Sequence, residues 1–131
     1  MSMESESVLG KFVLWVSAVV FISYGLICLF APEVPAGYAG LTLNNGNAIA
    51  EISAMYGGLQ TGFGIFCLIA ALKPNFYKPG LALLVLCVGL LALARTYTTL
   101  VIPDPVSTYT WGAMIFEFAI ATLAALALRK A

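Results

Sequence analysis

Histidine is absent from the 131 residues, and only 9% of the chain is charged. The first absence excludes haem or chlorophyll ligation by imidazole, histidine-rich iron sites and histidine acid/base catalysis. The second sets the chain apart from soluble domains, which carry roughly 25% charged residues. No run of basic residues offers a nucleic-acid surface, and the net charge is zero. The three cysteines, Cys28, Cys67 and Cys87, form no C-x-x-C pair, which argues against paired-thiol redox chemistry and leaves them as small packing residues. No nucleophile paired with a base, phosphate loop or metal-ligand spacing is visible, so no cofactor is expected.

What is present is apolar. Hydrophobic residues make up 62% of the chain, more than a soluble protein of this length can bury. They fall into four runs, at residues 12–31, 48–72, 80–102 and 109–128. Each reaches the roughly 20 residues needed to cross a bilayer core. Backbone groups in lipid need internal partners, so each run is expected to be a helix. The expectation is an all-α, polytopic membrane protein: one antiparallel four-transmembrane-helix bundle spanning residues 1–131. The first run does not read as a cleavable signal, because the leader MSMESESVLGK carries more acid than base and the run exceeds the usual ~7–15-residue signal core.

The connections are short, which favours up-down-up-down order. PEVPAGYAGLTLNNGN (residues 32–47) is the longest; KPNFYKP (73–79) and PDPVST (103–108) are the others. Lys11, Lys73, Lys78, Arg129 and Lys130 lie at the N-terminus, the second connection or the C-terminus, whereas the first and third connections carry only Glu33 and Asp104. This places both termini in the cytoplasm, in a membrane expected to be the bacterial inner one. Trp15, Phe76 and Tyr77 then fall near the inner boundary, and Tyr109 and Trp111 near the outer one. LFAPEVP and LVIPDPV, at the ends of the first and third runs, suggest a two-plus-two repeat, but the spacing fails further along.

Three charges interrupt the runs. At 1.5 Å per residue, Arg95 lies roughly 10 Å, Glu117 roughly 12 Å and Glu51 roughly 4–5 Å below the outer boundary. A charge at the bilayer centre costs about 2.5–3.5 kcal/mol on the insertion scale, so pairing is expected. Arginine stays protonated and its planar fork matches a carboxylate, which makes Arg95–Glu117 the first-choice pair and Glu51 a second partner. Thr98 and Thr99 share the Arg95 face; Ala113, Ala121 and Ala124 share that of Glu117 and admit a close neighbour. Ser23 and Tyr24 fall at similar depth, and Tyr56 and Gln60 extend the polar set inward. Gly58-x-x-x-Gly62 is a close-packing pattern for membrane helices. Each feature also has a plain structural reading: Glu51 as a carboxylate favoured near a helix N-terminus, Arg95–Glu117 as a clamp that fixes register, the glycines as packing devices.

EISAMYGGLQTGFGIF (residues 51–66), followed by Arg95 and Glu117, resembles a bacterial family of four-helix membrane proteins, a domain of unknown function related to DoxX-like proteins. The resemblance rests on Glu51, Tyr56, Gly57, Gly58, Gly62 and Gly64 in the second helix, Arg95 in the third and Glu117 in the fourth, and covers most of the chain after Ala48. Many members carry a basic residue two places after the first Glu, where this chain has Ser53. A four-charge cluster there becomes a three-charge one here. The resemblance implies the bundle and its polar cluster, and in the wider superfamily it implies accessory subunits of membrane oxidoreductases or assembly factors.

Three functions compete. An accessory or assembly subunit would dock on another membrane protein, or on further copies of itself. A binding or proton-linked transport protein would hold a small amphiphile at Glu51, Arg95 and Glu117; small multidrug transporters have this length but carry their essential acid on the first helix, which has none here. A lipid- or quinone-directed enzyme would use the paired carboxylates for acid/base work.

Overall fold

The computed structural model describes residues 6–131; the first five residues of the acidic leader lie outside them. Helix α1 runs Val8–Phe30, a short α2 covers Glu33–Ala39, α3 runs Gly46–Leu72, α4 runs Pro74–Val101 and α5 runs Thr108–Lys130. Among the described residues there is no strand, and α1, α3, α4 and α5 are each long and apolar enough to cross a membrane.

The ends follow from local chemistry. Asn45 caps α3: its backbone is extended and its side-chain oxygen accepts the Ala48 N–H at 3.0 Å. Only Lys73 separates α3 from α4. Pro74 opens α4 with φ already helical and no N–H to leave unpaired. The third helix thus starts six positions before the apolar run does. The segment read as a connection is mostly helical, with Pro79 inside the helix at the expense of one i→i−4 hydrogen bond. The first connection differs too, because α2 forms inside it. Its end is a Schellman closure: Gly40 is left-handed (φ 76°), the Leu41 N–H reaches the Ala36 carbonyl at 2.8 Å and the Gly40 N–H reaches that of Gly37 at 3.4 Å. The corner after α4 forms no such helix, so the two Pro-acid corners are conformationally unlike.

Two spans carry wider, π-helical turns, Ser53–Gly58 in α3 and Leu84–Val88 in α4. Each accommodates one extra residue per turn and shifts the register of the faces on either side.

The chain forms two compact units. The first takes the chain up to Leu14 and Ile69–Ala131. Here Leu81, Leu84, Val88 and Ala92 make the buried stripe of α4, and Met114, Glu117, Ile120, Ala124 and Ala127 that of α5. The helices run antiparallel: Arg95 meets Glu117, and six residues earlier on α4, Gly89 faces Ala121. The start of α1 packs beside the start of α4, where Gly10 leaves room for the Tyr77 ring and Gly80 for Ala70 and Leu14. Tyr77, expected near the inner boundary, faces protein. It is buried, and its hydroxyl oxygen accepts the Ser7 N–H at 3.0 Å.

The second unit is Trp15–Leu68. Its α1 and α3 portions are antiparallel and very close. A β-carbon at Gly64 would lie 2.7 Å from the Ile22 amide nitrogen and 3.1 Å from the Ala18 carbonyl oxygen. One at Gly57 would lie 3.1 Å from the Leu29 α-carbon, and one at Gly25 2.9 Å from the Gly57 carbonyl oxygen. The partners recur at heptad spacing, Ala18, Ile22, Gly25 and Leu29 against Gly57, Thr61 and Gly64, so backbone meets backbone along one seam.

Candidate functional site: the Arg95–Glu117 pair

Arg95 continues the α4 stripe of Leu81, Leu84, Val88 and Ala92, three positions past Ala92, so its side chain leaves the helix toward α5. Glu117 sits within the α5 stripe, three positions after Met114 and before Ile120. Helical periodicity therefore presents the cation and the carboxylate to each other. Arg95 Nε donates to Glu117 Oε1 at 2.9 Å and Nη2 donates to Oε2 at 2.7 Å. This is a bidentate, charge-assisted contact, the strongest arrangement the two groups can make. The Glu117 side chain is 7% exposed and that of Arg95 28%. The carboxylate is thus enclosed, and the guanidinium reaches it from a partly open position.

Small residues allow this approach. A β-carbon at Gly89 would sit 3.8 Å from that of Ala121, an ordinary contact, and Ala124 is fully buried. One turn beyond Arg95, Thr99 is half-buried, whereas Thr98 is exposed. Thr96, not singled out by the sequence, turns its hydroxyl back to the Ala92 carbonyl at 2.8 Å and so satisfies itself locally.

The other residues of the expected cluster belong to the second unit. Glu51 and Tyr56 are exposed there, and Gln60 and Tyr24 are half-buried. Tyr56 lies in the π-helical turn beside the buried Gly57. Of the four glycines read as packing residues, Gly57 and Gly64 line the seam with α1. Gly62 has nothing within 4 Å of a β-carbon position, and Gly58 meets only the Ser53 carbonyl of its own helix at 3.9 Å. The close-packing face within the chain is therefore Gly57/Gly64 and not Gly58-x-x-x-Gly62. The wider turn at Ser53–Gly58 changes which residues share a face, and spacing alone does not reveal it. Gly25, the α1 counterpart, was legible only as a small residue seven positions after Ala18.

Cys28 and Cys67 are buried and Cys87 is exposed, all three as free thiols. Among the described residues, no group of three or more Cys, Asp or Glu side chains is placed to hold a metal ion. The arrangement at Arg95 and Glu117 can lock two helices in register.

Comparison with known proteins gives a family and no activity. The chain matches no curated protein and no solved structure. A family model matches residues 9–128, which takes in all four long helices and both charged partners, and the chain belongs to that family, described as a domain of unknown function (DUF4345).

Proposed function

We propose that this protein is an accessory or assembly subunit of a larger membrane complex, its fold pinned by the Arg95–Glu117 clamp. The observation that carries the reading is the bidentate contact between α4 and α5: both carboxylate oxygens accept from one guanidinium, and the carboxylate is enclosed. Such a contact fixes helix register without leaving a prepared reaction centre. No more than 39% of any span's most apolar window is buried, and exposed apolar residues such as Val19, Ile65, Leu90 and Ile115 leave faces for lipid or for another membrane protein. The motif resemblance to DoxX-like proteins points the same way.

The test is partner capture from native membranes in lipid nanodiscs, with partners identified by mass. The expected result is a stoichiometric membrane-protein partner that disappears in Glu117→Gln and returns in the charge swap Arg95→Glu with Glu117→Arg. A wild-type protein that emerges from native lipid alone and monodisperse overturns the reading.

A second reading is favoured by the placement of a charged pair inside two apolar, membrane-length helices. A binding or proton-linked transport protein would hold a small amphiphile at this charged pair. Proteoliposome flux, or ligand-dependent proton release, lost in Glu117→Gln while the protein stays folded, selects it over the first.

A further inference from the structure

Helix α2 is small, but it leaves an apolar face uncovered. Val34, Tyr38 and Leu41 are exposed to 48, 70 and 44%, while Pro35 and Ala36 are buried. Val34 and Tyr38 lie one turn apart and so project together. Leu41 is held in place by the Schellman closure, its N–H bonded to the Ala36 carbonyl. The segment is therefore built, with one side fixed against protein and the other turned out.

Its position says what covers it. Helix α1 ends at Phe30, itself 78% exposed, and α2 begins at Glu33. Three residue steps of extended chain reach at most about 11 Å, so α2 sits at the level where the first span leaves the apolar layer. The last turn of α1 is itself apolar and exposed, at Ile27 and Phe30. A tyrosine whose ring is apolar and whose hydroxyl is polar suits the headgroup level. The flanking Glu33, Asn44 and Asn45 are exposed and polar, and no Lys or Arg occurs between Lys11 and Lys73 to draw the segment to a charged surface.

We infer that α2 lies in the plane of the membrane, in the interfacial layer of the leaflet that α1 reaches at Phe30. Val34, Tyr38 and Leu41 rest at the boundary between acyl chains and headgroups, and Glu33 stays on the water side. The connection between the first two spans is thus an anchored lipid contact and not a loop in water. This goes beyond the accessory-subunit reading and stands without it.

The test is fluorescence quenching of the full chain in phosphatidylcholine vesicles, in a background with Trp15→Phe and Trp111→Phe. Tyr38→Trp is read first. The expected result is blue-shifted emission, lost to lipids brominated near the headgroup end of the chain, less affected by lipids brominated deep in the chain, and resistant to aqueous acrylamide. Asn44→Trp is expected to show the reverse. If Tyr38→Trp fails to fold, Leu41→Trp reports on the same face. Emission from Tyr38→Trp or Leu41→Trp that acrylamide quenches and bromolipids do not overturns the inference, because the segment then projects into water. Emission shielded from both quenchers also overturns it, because protein and not lipid then covers the face.

Discussion

Arg95 and Glu117 divide a problem that neither solves alone. Each is costly in lipid as an isolated charge, and each removes most of the other's cost by a bidentate contact at 2.7 and 2.9 Å. Removing one partner is worse than losing the bond, because it strands a buried charge. Glu117→Gln and Arg95→Ala are therefore expected to destabilise the fold by about 3–5 kcal/mol, less for Glu117→Gln, which strands the more accessible Arg95, than for Arg95→Ala, which strands the enclosed carboxylate. Unfolding in mild detergent titrated with a denaturing one reads this out, and the charge-swapped double variant is expected to recover a large part of the loss. Arg95→Lys keeps the charge but not the fork, and is expected to fall between. These two residues were legible in the sequence because a charge in an apolar run has few explanations. Tyr77 was not legible. An aromatic residue near a span end fits the lipid boundary as well as the core, and only the space beside Gly10 and the Ser7 amide decides between them.

At the scale of elements, the seam between α1 and α3 depends on absent side chains. A β-carbon at Gly64 or Gly57 would press on backbone atoms of α1, which cannot yield as a flexible side chain does. Gly64→Ala and Gly57→Ala are expected to cost about 1–3 kcal/mol through overpacking. Gly62→Ala meets open space and replaces a poor helix former, so it is expected to be neutral or stabilising by up to about 1 kcal/mol. Parallel thermal melts of the three variants in one detergent check the contrast. The π-helical turn at Ser53–Gly58 makes a separate prediction. It holds an extra residue, so deleting the exposed Met55 lets the turn relax to an α-helix and is expected to be tolerated. Deleting the equally exposed Ile65, in regular helix, rotates the faces beyond it and is expected to abolish folded protein in size-exclusion profiles. Glycine count and spacing pointed to the right helix, but the phase of its faces lies in the wider turn, which no periodicity in the sequence announces.

For the molecule as a whole, span number was the most legible property, since four apolar runs separated by short polar links allow few alternatives. Less legible were the places where helix continues past the apolar run. Helix α4 has 28 residues, about 42 Å, against a hydrocarbon layer of about 30 Å, and its first turns begin at Pro74 in a segment that composition reads as a connection. Helix and apolarity are separate signals, and only the second is written plainly in composition. An even number of spans also returns the chain to the side it started from. Reporters fused to either end are expected to give the same sidedness, and impermeant thiol reagents are expected to reach Asn44→Cys and Asp104→Cys from the opposite side. From the charge distribution the termini are expected in the cytoplasm, with both cysteines labelled from the other side. Labelling of both cysteines from the cytoplasmic face would reverse that assignment.

The Arg95–Glu117 contact also sets an order of events at birth. The two partners lie 22 positions apart in the chain, and the cation emerges first. At about 5–20 residues per second, roughly 1–4 s pass before its counter-charge is made. During that interval the third span carries an unpaired charge that costs about 2.5–3.5 kcal/mol at the bilayer centre. Keeping its arginine near a surface until the fourth span arrives lowers that cost. The bond that stabilises the finished protein is thereby a reason for its last two helices to enter the membrane as a pair, and a chain truncated between them is expected to be retained at the translocon or degraded.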